Sequence, residues 1–522
     1  MLHEAVGEVS QNARAAALRR RSVLLWAAGL ALLVLATRVL FRAGWLYHWD
    51  SVNYALGMQH FDMRLHQPHP PGYFFYIALA DVVDLLVGDA NASLVWLSVA
   101  FSAVGAALLF LLGREMLGVR VAVIAALLYV SSPNIWFHGE VALPRSIEAF
   151  FSIAIALMCY RLMRGDARYF LPAALMLAVA GGFRQQVLIF LLPLWVWAGW
   201  GQPLRRWAAA AALGVGVTLL WLLPTFALSG GFESGAGVMT YLWSQGGLSS
   251  ETGATGLALV ALKIARVGVY TFYGLTLGVL AFLYVPAWRR AWRARRTRNS
   301  LFLLIWLTPA LLVTFNWVEQ PGHVLVFLPP LFLLVGEVVM QVGQAAASRW
   351  RGAPATWTGA LTAVLVVANV AFFLFAPSPL LGREGTLTIP PAAQTIAARD
   401  RFLSTRVAAI RATFSPETTT VIGGGRYFRH PDYYLADYQY PALNADLTGT
   451  LTYLPEHVDT LVLFTDDLRD QVAEGVPVAS LALADGATLH YIEAGAGQVF
   501  GLSGTTITLA DADDTKDTAN DA

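Results

Sequence analysis

Hydropathy divides the chain into apolar runs near 22–40, 91–112, 121–137, 147–163, 169–182, 185–200, 207–226, 262–285, 300–316, 323–342 and 357–376, separated by short loops in which arginine is the commonest charge. A helix takes about 20 apolar residues, within a range of roughly 17–25, to cross the hydrocarbon of a bilayer. The pattern therefore predicts about eleven transmembrane helices. The runs at 169–182 and 185–200 are short and are read either as two spans or as a re-entrant hairpin broken at Gly181-Gly182. A further run, Gly72 to Val87, carries Asp81 and Asp84 and suits a helix lying in the interface.

After Ala376 the period changes. Pro377, Pro379, Pro390 and Pro391 lead into an Ala/Arg-rich helical stretch, Ala392 to Thr413, and then strand-like runs at Thr419–Ile422, Thr460–Phe464 and Leu489–Ile492 alternate with Gly and Asp turns. The expected fold is an all-α polytopic membrane domain with an interfacial helix in its first external loop, followed by a small C-terminal extracytoplasmic α/β domain. Its boundaries are 1–21 for a basic cytoplasmic N-terminus, 22–376 for the membrane domain, 377–509 for the α/β domain and 510–522 for an acidic disordered tail. Asp511, Asp513 and Asp514 in that tail resemble a calcium loop only faintly.

Composition agrees with membrane residence: 57% of the 522 residues are hydrophobic and 13% charged, against about 25% charged in ordinary soluble domains. A net charge of +1 gives no bulk attraction for nucleic acid, and the one cysteine, Cys159, can form no internal disulfide. Charge also orients the chain. If Gly72–Val87 does not cross, then Arg114 and Arg120, Arg161 to Arg168, Arg205 and Arg206, the arginines from Arg289 to Arg298, and Arg349 with Arg351 share one side with the basic N-terminus. By the positive-inside rule that side is cytoplasmic. Ser22–Leu40 has no small-residue cleavage site after it and is read as a retained first helix.

The opposite side collects polar groups that a membrane protein otherwise avoids. Its first loop holds Tyr47, His48, Asp50, Asn53, Tyr54, His60, Asp62, His66 and His69; the next holds His138, Glu140 and Arg145. Arg184 lies beside the Gly181-Gly182 break with Gln185 and Gln186, and a later loop has Asn316, Glu319, Gln320 and His323. Each ionisable group at membrane depth costs at least about 2.5 kcal/mol, so several on one side point to a site. Asp50 has the chemistry of a general base, or alternatively of an N-cap to a short helix beginning near Ser51. Glu140 is read as orienting substrate or as stabilising the start of the next span. Arg184 suits phosphate through its forked donors, or a structural ion pair. The histidines and acids between 48 and 69 match no compact ligand motif; a divalent cation stays open, and no cofactor is demanded. The glycine-rich segment Ala227–Ala261, with Tyr241, Leu242 and Trp243, is read as a cover for a site or as a linker.

Trp49-Asp50-Ser51, His69-Pro70-Pro71-Gly72-Tyr73, Ser132-Pro133-Asn134-Ile135-Trp136 followed by Gly139-Glu140-Val141, and Gly182-Phe183-Arg184 resemble, in order and spacing, the multispanning C-type-fold glycosyltransferases of the protein O-mannosyltransferase and aminoarabinose transferase type. The resemblance covers roughly residues 20–340. It implies Asp50 as catalytic base and a polyprenyl-phosphate-linked sugar donor with Arg184 near its phosphate, and it puts Glu140 where some relatives have a further acid. From their place on the same outer side, His69 is read as a second phosphate-binding group and Tyr54, His138, Glu140 and Gln186 as substrate-binding. Many members carry a second acid directly after the first, where this chain has Ser51. The reaction implied is inverting transfer to an extracytoplasmic acceptor (lipid, polysaccharide or protein) with membrane lipid as surroundings. The alternatives are a transporter, disfavoured because the polar groups cluster at one face and no second half repeats the first, and a non-catalytic envelope assembly protein.

Overall fold

The computed structural model describes residues 2–237, 255–286, 289–290, 297–316, 320–350, 352–376, 392–439, 451–503 and 506–512. Tyr241, Leu242 and Trp243, Glu319, the prolines at 377–391 and the tail acids Asp513 and Asp514 lie outside the described residues. The chain forms two compact units. One is Met1–Arg42 with Tyr73–Ile396, and the other is Ala43–Gly72 with Ala397–Ala522.

In the first unit every apolar run falls on helix. Among the described residues seven helical segments are long and apolar enough to cross a membrane: Arg21–Phe41, Ala90–Leu117, Arg145–Met163, Leu204–Leu228, Gly256–Leu283, Leu328–Trp350 and Pro354–Phe375. Four shorter apolar helices, Val119–Ser131, Ala167–Phe183, Gln185–Ala198 and Arg298–Thr314, account for the other runs. The run expected at 121–137 is divided. Pro133 has no amide hydrogen to continue the ladder, so one helix stops at Ser131 and a single short helix, Pro133–His138, restarts with Ser132 capping it. The interruption between 169 and 200 also lies elsewhere than expected: helix runs through both glycines to Phe183, and Arg184, extended at φ −162°, is the break. Each arm there has 14 residues, about 21 Å of helix, against a hydrocarbon thickness of about 30 Å. Gly72–Val87 yields a helix over Phe74–Val87 that leaves Val82, Leu85 and Leu86 exposed, apolar surface of the kind that faces lipid.

The second unit is an α/β body. β1 (Thr419–Ile422) and β3 (Thr460–Leu463) pair in parallel, and β5 (Thr488–Glu493) and β4 (Ala479–Ala482) extend that sheet antiparallel in the order β1-β3-β5-β4. β2 (Leu451–Tyr453), β6 (Gln498–Ser503) and β7 (Thr506–Asp511) form an antiparallel sheet ordered β2-β6-β7. β3 is buried at every position because both of its faces are covered. Val462, with Phe464 just beyond the strand, packs with Leu403, Val407 and Ile410 of the helix Ala393–Thr413, while Leu461 and Leu463 pack with Ile492, Phe500 and Ile507.

The segment Ala43–Gly72 is built into this body. Asp400 accepts from the backbone amides of Gly44 and Trp45 at 2.7 and 3.1 Å, Tyr434 accepts from the amide of Leu46 at 2.8 Å, and Arg399 donates to the carbonyl of Tyr47. His430 contacts the carbonyl of Leu46 at 2.9 Å. Burial pushes the Asp400 carboxyl above its ordinary range against those two amide bonds, and burial also drives His430 down to about 3.

Candidate functional site

The sequence-expected residues fall into a cluster in each unit. In the second unit, Ala43–Gly72 carries the helix Trp49–Gln59, followed by a turn that returns toward it. His48 is the N-cap: its Nδ1 accepts from the Asp50 amide at 3.0 Å, and Ser51 takes the reciprocal bond from the His48 amide. This corrects the alternative expected for Asp50. Asp50 is not the cap; it stands in the first helical turn, where the helix dipole favours a carboxylate.

Around Asp50 the chain closes on itself. Gly57, two turns on, meets Pro68 so closely that a Cβ there would lie 2.8 Å from the proline nitrogen. That approach carries His69 back over the helix, with its Nδ1 3.7 Å from Asp50 Oδ1. His48 Nδ1 lies 3.4 Å from Asp50 Oδ2; since that nitrogen already accepts from an amide, it holds no proton to give the carboxylate in this arrangement. Tyr54 packs its ring 5.1 Å from that of His69, and Trp49 lies 5.8 Å from the same imidazole. Asp50 itself is only 4% exposed. The result is a sequestered carboxylate flanked by two imidazoles and walled by aromatic rings.

Two other loop residues have structural work. Asp62 caps the turn Met63–Leu65, and the bond from Arg64 holds its carboxyl below the ordinary range. Burial, then Arg429, push His66 down.

In the first unit the cluster forms where helix Pro133–His138, the start of helix Arg145–Met163 and the break at Arg184 meet. Arg145 and Arg184 both reach Oε1 of Glu148, at 3.1 and 2.9 Å, and all three side chains are buried. Arg184 Nε also donates to Gln186 at 2.7 Å, its guanidinium lies 5.9 Å from the centre of the Tyr73 ring, and Arg145 donates to Gln320 at 2.6 Å. His138 turns Nδ1 to the carbonyl of Asn134 at 2.9 Å. A carbonyl only accepts, so Nδ1 carries the proton and Nε2 is left as the basic nitrogen of the neutral ring. That nitrogen faces the turn at Gly322, where a Cβ would come within 2.8 Å of it and 2.6 Å of Arg145.

Glu140 stands apart from these. It is fully buried, accepts from the Trp136 indole and lies within electrostatic reach of Arg38, whose guanidinium stacks 4.8 Å over Trp136. Arg145 and Glu148 received no role from sequence reasoning, Glu148 lying inside the run 147–163. The signal was present, because two opposite charges three positions apart at the mouth of a span need a reason to be there. Among the described residues no group of three or more His, Cys, Asp or Glu side chains is arranged to hold a metal ion.

Charge is unbalanced in this unit: among its described residues four arginines are buried, Arg38, Arg145, Arg184 and Arg266, against two acids, Glu140 and Glu148. A buried cation is costly unless an anion accompanies it, and phosphate is one anion that arginine accommodates well.

Residues 68–228 match the family model described as Dolichyl-phosphate-mannose-protein mannosyltransferase. The fold is similar to that of ArnT from Cupriavidus metallidurans, solved bound to undecaprenyl phosphate and in the apo state. Both comparisons have TM-score 0.53 and 15% identity; the first covers 90% of this chain and 97% of the other, the second 91% and 98%. No curated protein matches the sequence.

Proposed function

Starting from a polytopic chain with the C-type glycosyltransferase fold, we infer that the protein is a membrane glycosyltransferase that moves a sugar from a polyprenyl-phosphate donor to an acceptor on the extracytoplasmic side. The observation that carries this reading is the pair of buried guanidiniums, Arg145 and Arg184, sharing a single carboxylate oxygen of Glu148. Two guanidiniums brought together on one carboxylate concentrate planar donors of the kind that suit a phosphate. Forked arginine donors recognise phosphate oxygens well. The donor class is supported by the undecaprenyl phosphate bound to ArnT and by the family description matched by residues 68–228.

In the proposed reaction the Asp50 carboxylate takes the proton of an acceptor hydroxyl or amine. The acceptor's lone pair forms a bond to the anomeric carbon, the bond from that carbon to the phosphate oxygen breaks, and its electron pair stays on the lipid phosphate. Configuration inverts. Arg184 and Arg145 are proposed to stabilise the charge developing on the phosphate, and His69 to serve as a further donor. Tyr54, His138 and Gln186 are proposed to contact the substrates. Glu140 serves to hold Arg38 and Trp136. The arginine-rich loops support the sidedness.

Purified protein in vesicles, given radiolabelled polyprenyl-phosphate sugar and an envelope extract as acceptor source, tests this. Transfer of label that Asp50→Asn abolishes, with unchanged melting temperature, is the expected result. Solute movement without transfer, or undiminished transfer by the Asp50→Asn protein, would overturn it.

A further inference from the structure

We propose that Arg429 is a positioning residue for the Asp50–His69 pair, acting as a brace between the two arms of the loop that carry those side chains. The inference rests on the reading of Asp50 as the base. Arg429 Nε donates to Asn53 Oδ1 at 3.0 Å, and one terminal nitrogen donates to the carbonyl of Leu65 at 2.9 Å. Asn53 stands three residues, just under one helical turn, after Asp50, on the outgoing arm; Leu65 lies four residues before His69, on the returning arm. The second terminal nitrogen pairs with Asp432 at 2.7 Å, which fixes the plane of the guanidinium. All three donor groups are thus committed within one buried side chain.

The arrangement suits arginine in particular. A guanidinium is a rigid planar fork whose donors diverge at set angles, whereas an ammonium is a point donor on a flexible stem. Substituting lysine keeps the charge and loses the span. Among the described residues no other side chain bonds to both Asn53 and Leu65. Proton transfer is sensitive to misplacement of its partners by about 1 Å, which costs on the order of a hundredfold in rate.

Neighbouring contacts give the brace a firm footing. His430 and Tyr434 hold Leu46, Phe428 lies 5.8 Å from Trp49 ring to ring, and Arg399 stacks 4.1 Å over Tyr47. The run Arg426–Tyr434, whose purpose the sequence does not disclose, is therefore the surface on which the Asp50 loop is mounted.

The test is sugar transfer by full-length Arg429→Lys, Asn53→Ala and the double variant, each with its melting temperature, beside Asp50→Asn. The expected result is a kcat lowered roughly 10- to 100-fold in either single variant, donor KM within about threefold of wild type, and a double variant no slower than the worse single one, because both remove the same contact. Wild-type kcat in both singles, with Asp50→Asn inactive, overturns the brace and leaves the proposed function standing. Activity lost only in proportion to unfolded protein overturns it as well, since the residue would then be merely structural. Full activity of Asp50→Asn overturns both readings. If Arg429→Lys does not accumulate, Asn53→Ala and Asp432→Asn decide by the same criteria.

Discussion

Arg184 and Glu148 meet at 2.9 Å with both side chains almost wholly withdrawn from solvent, and Arg145 reaches the same carboxylate oxygen from one turn away. Removing the acid leaves two cations with nothing between them. Glu148→Gln is expected to lower stability by about 3–5 kcal/mol, the usual cost of breaking a buried pair from one side. Undecaprenyl phosphate should then raise the melting temperature of the variant more than that of the wild type, because the ligand replaces the missing charge. Thermal denaturation in detergent with and without the lipid measures both effects.

His48 separates capping from chemistry. Its Nδ1 faces the Asp50 amide, a job that asparagine performs at least as well. His48→Asn is expected to melt within about 0.5 kcal/mol of wild type and to transfer sugar at a rate within roughly threefold of it, about 0.7 kcal/mol in barrier. A much slower variant with unchanged melting would show that the imidazole takes part in the proton's path.

Gly322 reports on the arginine side. An added methyl would press on Arg145 and His138 at 2.6 and 2.8 Å, inside van der Waals contact. Gly322→Ala should cost about 1–3 kcal/mol by overpacking and raise donor KM, whereas the same change at Gly214, where nothing lies within 4 Å, should leave KM alone. Steady-state kinetics over a donor series distinguishes the two.

The pH dependence of stability has a definite sign at His430. Burial lowers its folded-state value from 6.5 to about 3, so below 6.5 the unfolded chain binds a proton that the folded chain refuses. Its contribution is complete above pH 6.5 and is lost as pH falls from there toward 3, with a slope of up to about 1.4 kcal/mol per pH unit. His430→Gln, which retains a donor for the Leu46 carbonyl, should melt with a shallower acid slope than wild type between pH 6 and 4. Superimposable slopes would count against the buried neutral imidazole.

Much of the membrane unit is legible in the sequence because its controlling physics is local. An apolar run must satisfy its own backbone in hydrocarbon, so it becomes helix wherever the period allows. Pro133 and Arg184 set the finer breaks, and only the first is a local signal; the glycines at 181 and 182 draw attention to the right neighbourhood and the wrong residue. Asp50 could be singled out from its surroundings in sequence, but its relation to His69 depends on how Pro68 packs against Gly57. Arg429 is the extreme case. Its partner Asn53 is 376 positions away, and no spacing rule connects them.

Because Ala43–Gly72 is completed by residues beyond Ala397, the loop that carries Asp50 can reach this arrangement only after more than 300 further residues have been synthesised. Membrane insertion of the helices proceeds as they emerge, but the Asp50 element waits. A product stopped before Ala397 lacks the side chains of Arg399, Asp400, Arg429 and His430 that hold this loop.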